Sequence, residues 1–192
     1  MKRLCGLLLL MPLTLFAQVS RQVDPETGLV GWTLRDGDFE MELVQRLPDQ
    51  TRAFFLARGF PPAEADRIAR HCVMQTIVRN LGQPGESPPI RVNVTEWRVM
   101  HKGVIRPVRH KEAWLQRWAE TKAVPKPAQL AFRWSTLPTE QIYAPRGDYN
   151  WGMTLYDLAP GEVFDLHVVW HAGERRHAAW LRRIQCAPDR HN

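Results

Sequence analysis

Apolar and polar residues alternate with period two along several short stretches of this chain. Phe39-Glu40-Met41-Glu42-Leu43 sets apolar against acidic positions, the pattern of a strand with one wet face. Ile90-Arg91-Val92-Asn93-Val94 alternates as cleanly, and Val73 to Val78, beginning at Cys72, reads as a further β segment. Trp97 to Ile105 continues β structure with a break around Lys102-Gly103. In the last third, Leu130, Phe132 and Trp134 alternate with Ala131 and Arg133, and Trp151, Met153 and Leu155 alternate with Gly152, Thr154 and Tyr156. Val163 to His171 places Phe164, Leu166, Val168 and Trp170 on one face and Asp165, His167, Val169 and His171 on the other. Ala172-Gly173-Glu174 is a hairpin-sized turn, after which Trp180 to Cys186 is expected to return antiparallel; Arg175 to Arg183 fits a helix equally well, and its position favours the strand.

The period changes twice. Pro48 suits a first helical position, Phe54, Leu56 and Ala57 follow at helical spacing, and Gly59 sits where a helix stops. A second helix opens at Pro61-Pro62 with Glu64 and Asp66 in its first turn. Trp114 and Trp118 lie four apart and share a face of a third helix over Glu112 to Glu120. Residues 18–28 read as a loose lead-in and 82–89 as a loop. The expected fold is mainly β (α+β). It is a single antiparallel β-sandwich-like domain over 18–192, with two or three short helices and a helical insert near 48–71. The segment Leu158-Ala159-Pro160-Gly161-Glu162 ahead of an alternating strand resembles the strand-joining turn of immunoglobulin-like and cupredoxin-like sandwiches. That resemblance implies a fold class and no function.

Residues 1–17 change the reading of where the chain works. Lys2 and Arg3 precede an apolar run from Leu4 to Phe16, and Ala17 supplies a small residue before a polar stretch. This is the pattern of a signal peptide, and the run is too short to span a bilayer. The protein is therefore expected to be secreted or periplasmic, with no transmembrane segment after signal removal. Of three cysteines, Cys5 leaves with the signal, so Cys72 and Cys186 are expected to pair. A dithiol metal site and two buried free thiols are the alternatives. A formal charge of +6, with 44% hydrophobic and 24% charged residues, fits a globular domain with a modest pull on anions.

Candidate chemistry is sparse. There is no nucleophile elbow, zinc-protease helix motif, P-loop or dinucleotide fingerprint, so no enzyme activity is expected. Arg175, Arg176, His177, Trp180, Arg182 and Arg183 form a basic, aromatic set, with Arg146 and Lys102 as possible neighbours. Such a set suits an anionic glycan or an acidic protein of the envelope rather than nucleic acid. Pro145 to Gly152 is the densest loop of polar, glycine and aromatic residues. The expected binding residues are Arg146, Asp148, Tyr149, Trp151, Arg176 and Trp180, in a non-enzymatic binding or accessory protein. No cofactor is expected under this reading. The alternative is a copper carrier, since copper(I) favours thioether and imidazole, with Met100, His101, His110 and Met153 as ligands. His167 and His171 read as the polar outer face of a half-buried sheet. A hydrolase using Asp148 or Asp165 is a third reading. Eight tryptophans are present, and alternation assigns Trp134 and Trp170 to the core.

Overall fold

A computed structural model describes residues 17–189. The segment expected to be a signal peptide lies, apart from Ala17, outside the described residues. Among the described residues, eleven strands and four α-helices follow one another as β1 (Gln18–Val23), β2 (Val30–Asp36), β3 (Phe39–Gln45), α1 (Pro48–Leu56), α2 (Pro62–Ala69), β4 (Cys72–Asn80), β5 (Ile90–Asn93), β6 (Arg98–His101), β7 (Val104–Pro107), α3 (Lys111–Thr121), α4 (Lys126–Ser135), β8 (Glu140–Tyr143), β9 (Tyr149–Tyr156), β10 (Val163–Ala172) and β11 (Arg175–Gln185). The first sheet has the order β1-β2-β3-β4-β9. In the second, β10 is central: β6 and β5 pair with successive parts of one edge, extended by β7 and β8, and β11 pairs with the other. Every pairing between these strands is antiparallel.

The sandwich core follows from alternation. Leu34, Phe39, Met41, Leu43 and Met74 of the first sheet are buried, as are Leu166, Val168, Trp170 and Leu181 of the second. Phe39 and Trp170 stack across the interface at 4.3 Å between ring centroids. Gln45 ties the layers at their edge. Its side-chain oxygen accepts from the Val30 N–H, and its amide donates to the Gln185 carbonyl at 2.8 Å. The Cys72–Cys186 disulfide clips the start of β4 to the residue after β11.

A third layer covers the back of the first sheet. Phe55 of α1, Ile68 of α2, Trp114 and Trp118 of α3 and Phe132 of α4 pack on Val73, Met153 and Leu155. The sheet is thus buried on both faces around β4 and β9, where Gly152 to Tyr156 are all buried. Glu64 lies inside this layer. Its carboxylate accepts from Arg117 at 2.8 Å and from the Trp118 indole at 2.9 Å. Burial acts to raise its pKa, but those bonds and the charges of Arg117 and Arg67 outweigh it and hold the group below its usual range.

Three expectations are corrected. Residues 130–134 are not a strand but part of α4, whose Ala128, Phe132 and Ser135 face the core. Three apolar residues over five positions are too few to fix the period, and Pro125 and Pro127 at the helix start decide the matter. Trp134 accordingly lies on the outside at 78% exposure, whereas Trp170 is buried as expected. Residues 18–23 are not a loose lead-in but an edge strand, β1, exposed along its whole length.

Candidate functional site

The face of the second sheet that turns away from the sandwich carries the densest set of chemically capable side chains. β10 buries Phe164, Leu166, Val168 and Trp170, so Asp165, His167 and His171 point outward. Register then decides their neighbours. His167 stands opposite Trp180 of β11 on one side and Arg98 of β6 on the other, and His171 stands opposite Arg176 and Arg91. The His167 and Trp180 rings lie 4.8 Å apart, and the Arg182 guanidinium sits 4.5 Å from the Trp180 centroid. Trp180 is therefore held between an imidazole and a cation that attracts its π face.

The positive charge around this pair is only partly balanced. Arg98 donates to the Thr95 and Trp97 carbonyls, both at 2.7 Å, which fixes the guanidinium without neutralising it. Neither Arg98 nor Arg176 has a carboxylate partner among the described residues. Desolvation lowers the His167 pKa, and the charges of Arg176, Arg98 and Arg182 push it the same way. At the far end carboxylates are close at hand, since Arg91 meets Glu140 at 3.2 Å and Glu96 lies 3.2 Å from the His171 ring.

Asp165 shapes the site rather than opening it. It accepts from the Arg183 N–H and from the Arg182 side chain, each at 2.8 Å. Burial alone raises its pKa, but these bonds and the two arginine charges prevail and keep it ionised below the normal range. The register shifts here, and Arg183 takes φ +55°. Asp165 thus caps a β-bulge at the end of β11.

Comparison with known proteins matches nothing. No family model, curated protein or solved structure corresponds to the chain.

The six expected binding residues do not form one surface. Arg176 and Trp180 lie on the face just described. Arg146, Asp148, Tyr149 and Trp151 belong to the β8–β9 connection and β9, and Trp151 shares the parity of Met153 and Leu155, turned away from the second sheet. That loop is braced from within. The Arg146 N–H donates to the Gly82 carbonyl, the Gly147 N–H to the Asn80 carbonyl, and the Asp148 side chain accepts from the Ala144 N–H at 2.9 Å. Asn80 itself donates to the Pro88 and Tyr143 carbonyls, so the loop closes around a buried hub. Tyr149 and Trp151 remain more than half exposed.

The four candidate copper ligands are also dispersed. Met100 and His101 are neighbours on β6, hence on opposite faces, and His101 pairs with Glu162 at 3.3 Å. His110 pairs with Glu112 at 2.9 Å, and Met153 is buried under the helices. His110 and Met153 do line one cavity with Thr136 and Leu137, but it holds only about 20 Å³, room for a single water. No cluster of three or more His, Cys, Asp or Glu able to hold a metal occurs among the described residues. Neither aspartate of the hydrolase reading is free: Asp148 braces its loop and Asp165 its bulge.

Sequence reasoning found Trp180 and its arginines but missed Arg98. The convergence of Arg98, His167 and Arg176 needs the pairing of β6, β10 and β11, which spacing along the chain does not reveal. The alternation of β10 was the available signal.

Proposed function

We propose that the protein is an exported binding or accessory module that recognises an anionic partner in the cell envelope through the Arg98–His167–Trp180–Arg176 face. One observation carries the reading. An aromatic platform, Trp180, is held by His167 and Arg182, and the charges of Arg98 and Arg176, two guanidiniums with no carboxylate partner among the described residues, act on that same His167. Planar guanidiniums of this kind suit carboxylate, sulfate or phosphate groups, and the indole offers apolar area beside them. The disulfide favours a location outside the reducing cytosol. No described helix is long and apolar enough to cross a membrane.

The test is binding of fluorescent poly-glutamate to the oxidised protein at increasing salt. The expected result is affinity that falls with ionic strength and is lost in an Arg98→Glu, Arg176→Glu double variant that unfolds at the wild-type temperature. Unchanged binding by that variant would refute the assignment. Fractionation of the host, with intact mass before and after reduction, checks both export and the bridge.

A further inference from the structure

The second sheet stops one strand short of the first. β1 pairs with β2 from Gln18 opposite Arg35 to Val23 opposite Val30. Val19, Arg21 and Val23 therefore share the face of Leu34, Trp32 and Val30, which looks toward the second sheet. Nothing in the second sheet reaches beneath them among the described residues. β11 pairs only with β10, and Val19 and Val23 stay 41% and 51% exposed. The step between the free edge of β11 and the overhanging β1 is a groove of about 450 Å³. Trp32 forms its base, Val19 and Val163 its apolar walls, and Arg21, Arg182 and Arg183 its rim.

A strand laid beside β11 at ordinary sheet spacing fills this step. We propose that a partner protein adds an extended acidic segment to the free edge of β11, beneath β1. The inference rests on the anionic-partner reading above and names the partner's form. Charge selects the occupant. Arg175, Arg176, Arg182 and Arg183 lie along β11 and Arg21 hangs over it, while Asp165 is already engaged by Arg182 and Arg183. A second copy of this chain pairing through β11 or β1 sets arginine against arginine, which disfavours self-association. Alternation fixes the segment's pattern. Side chains of one parity face Trp32 and Val19 and are apolar. The others meet Arg176 and Arg182 on the outer face and are acidic. The bulge at Arg183 interrupts the regular edge, so ladder pairing runs along Arg175 to Leu181 and the end of the segment continues past Arg182, Arg183 and Gln185 into the groove.

The experiment uses synthetic peptides of about nine residues, a strand's ordinary length, and reads fluorescence anisotropy with the oxidised protein. One peptide alternates valine with glutamate and another alternates valine with lysine. Two further versions of the first carry backbone N-methyl groups, either on every valine or on every glutamate. In strand addition only one parity of N–H groups faces β11. The valine–glutamate peptide is expected to bind, the lysine peptide not, and one methylated version to lose about tenfold or more while the other keeps its affinity. Arg21→Glu, on a fully exposed strand, is expected to weaken binding about tenfold, and Arg21→Lys to preserve it. Equal behaviour of the two methylated peptides, equal binding of the lysine peptide, no effect of Arg21→Glu, or no peptide binding overturns strand addition. If poly-glutamate still binds in those cases, the anionic-partner reading stands and only the strand mode falls.

Discussion

Glu64→Ala strips the junction of α2 and α3 of an acceptor shared by three donors. In the wild type the carboxylate, 7% exposed, receives Arg117, Trp118 and Arg67. Alanine leaves the Trp118 indole N–H, inside the aromatic cluster with Phe60 and Phe132, without an acceptor. An unmet buried donor costs about 1–3 kcal/mol. Arg117, about one-third exposed, regains part of its solvation from water. Breaking a buried ion pair from one side typically costs about 3–5 kcal/mol, and the half-open arginine places this case near the lower figure. For a chain of this size that shifts Tm by roughly 6–12 °C. Glu64→Gln keeps one acceptor oxygen and costs about 2 kcal/mol. The assay is urea unfolding of oxidised protein followed by near-ultraviolet circular dichroism, which reports the tryptophans. The pH dependence gives an independent check. The folded pKa of Glu64 lies below its ordinary 4.5, so its contribution is complete above that value and is lost as pH falls through the folded pKa. The stability gap between wild type and Glu64→Gln therefore closes toward low pH. A Glu64→Ala cost below about 1 kcal/mol, or a gap that does not change with pH, would refute the reasoning.

Gly152→Ala is expected to destabilise by more than about 3 kcal/mol, because its Cβ meets the Leu137 backbone nitrogen and lies 2.5 Å from the Thr136 carbonyl carbon; thermal unfolding reads it. Replacing Cys72 and Cys186 together by alanine removes a cross-link with a sequence separation of 114 and costs up to about 5 kcal/mol in the chain-entropy model, seen as a lower urea midpoint. His71 packs on Trp114 and His167 on Trp180, and burial lowers both pKa values below the ordinary 6.5. Their contribution is complete above that value and is lost as pH falls through the folded pKa values, so a His71→Gln variant should lose less stability on acidification than wild type, measured between neutral and mildly acidic pH. Asp165→Ala uncaps the bulge, exposes the Arg183 amide to faster hydrogen exchange and leaves the helical layer unaffected.

The strands with one dry face were legible because burial imposes period two on them. β3 reads directly from Phe39-Glu40-Met41-Glu42-Leu43, and β10 from Phe164 to Trp170. The helical pair α1 and α2 and the tryptophan face of α3 announced themselves by spacing and proline. α4 did not, because Leu130 and Trp134 lie on its exposed side and happen to flank buried Phe132 at strand spacing. β1 was silent for a related reason: with neither face covered, nothing selects apolar residues on alternate positions. On the candidate face, Trp180 and Arg176 could be read from one strand. Arg98 lies on another, and only the register through β10 brings it to them.

Cys72 and Cys186 stand 114 positions apart, so the covalent clasp cannot close before everything between them has been synthesised and threaded into place. The β10–β11 hairpin, which bears the basic surface, is made just ahead of Cys186 and long after Cys72. A chain cut short loses that surface and keeps an unmatched thiol, a chemical mark by which an unfinished molecule differs from a finished one.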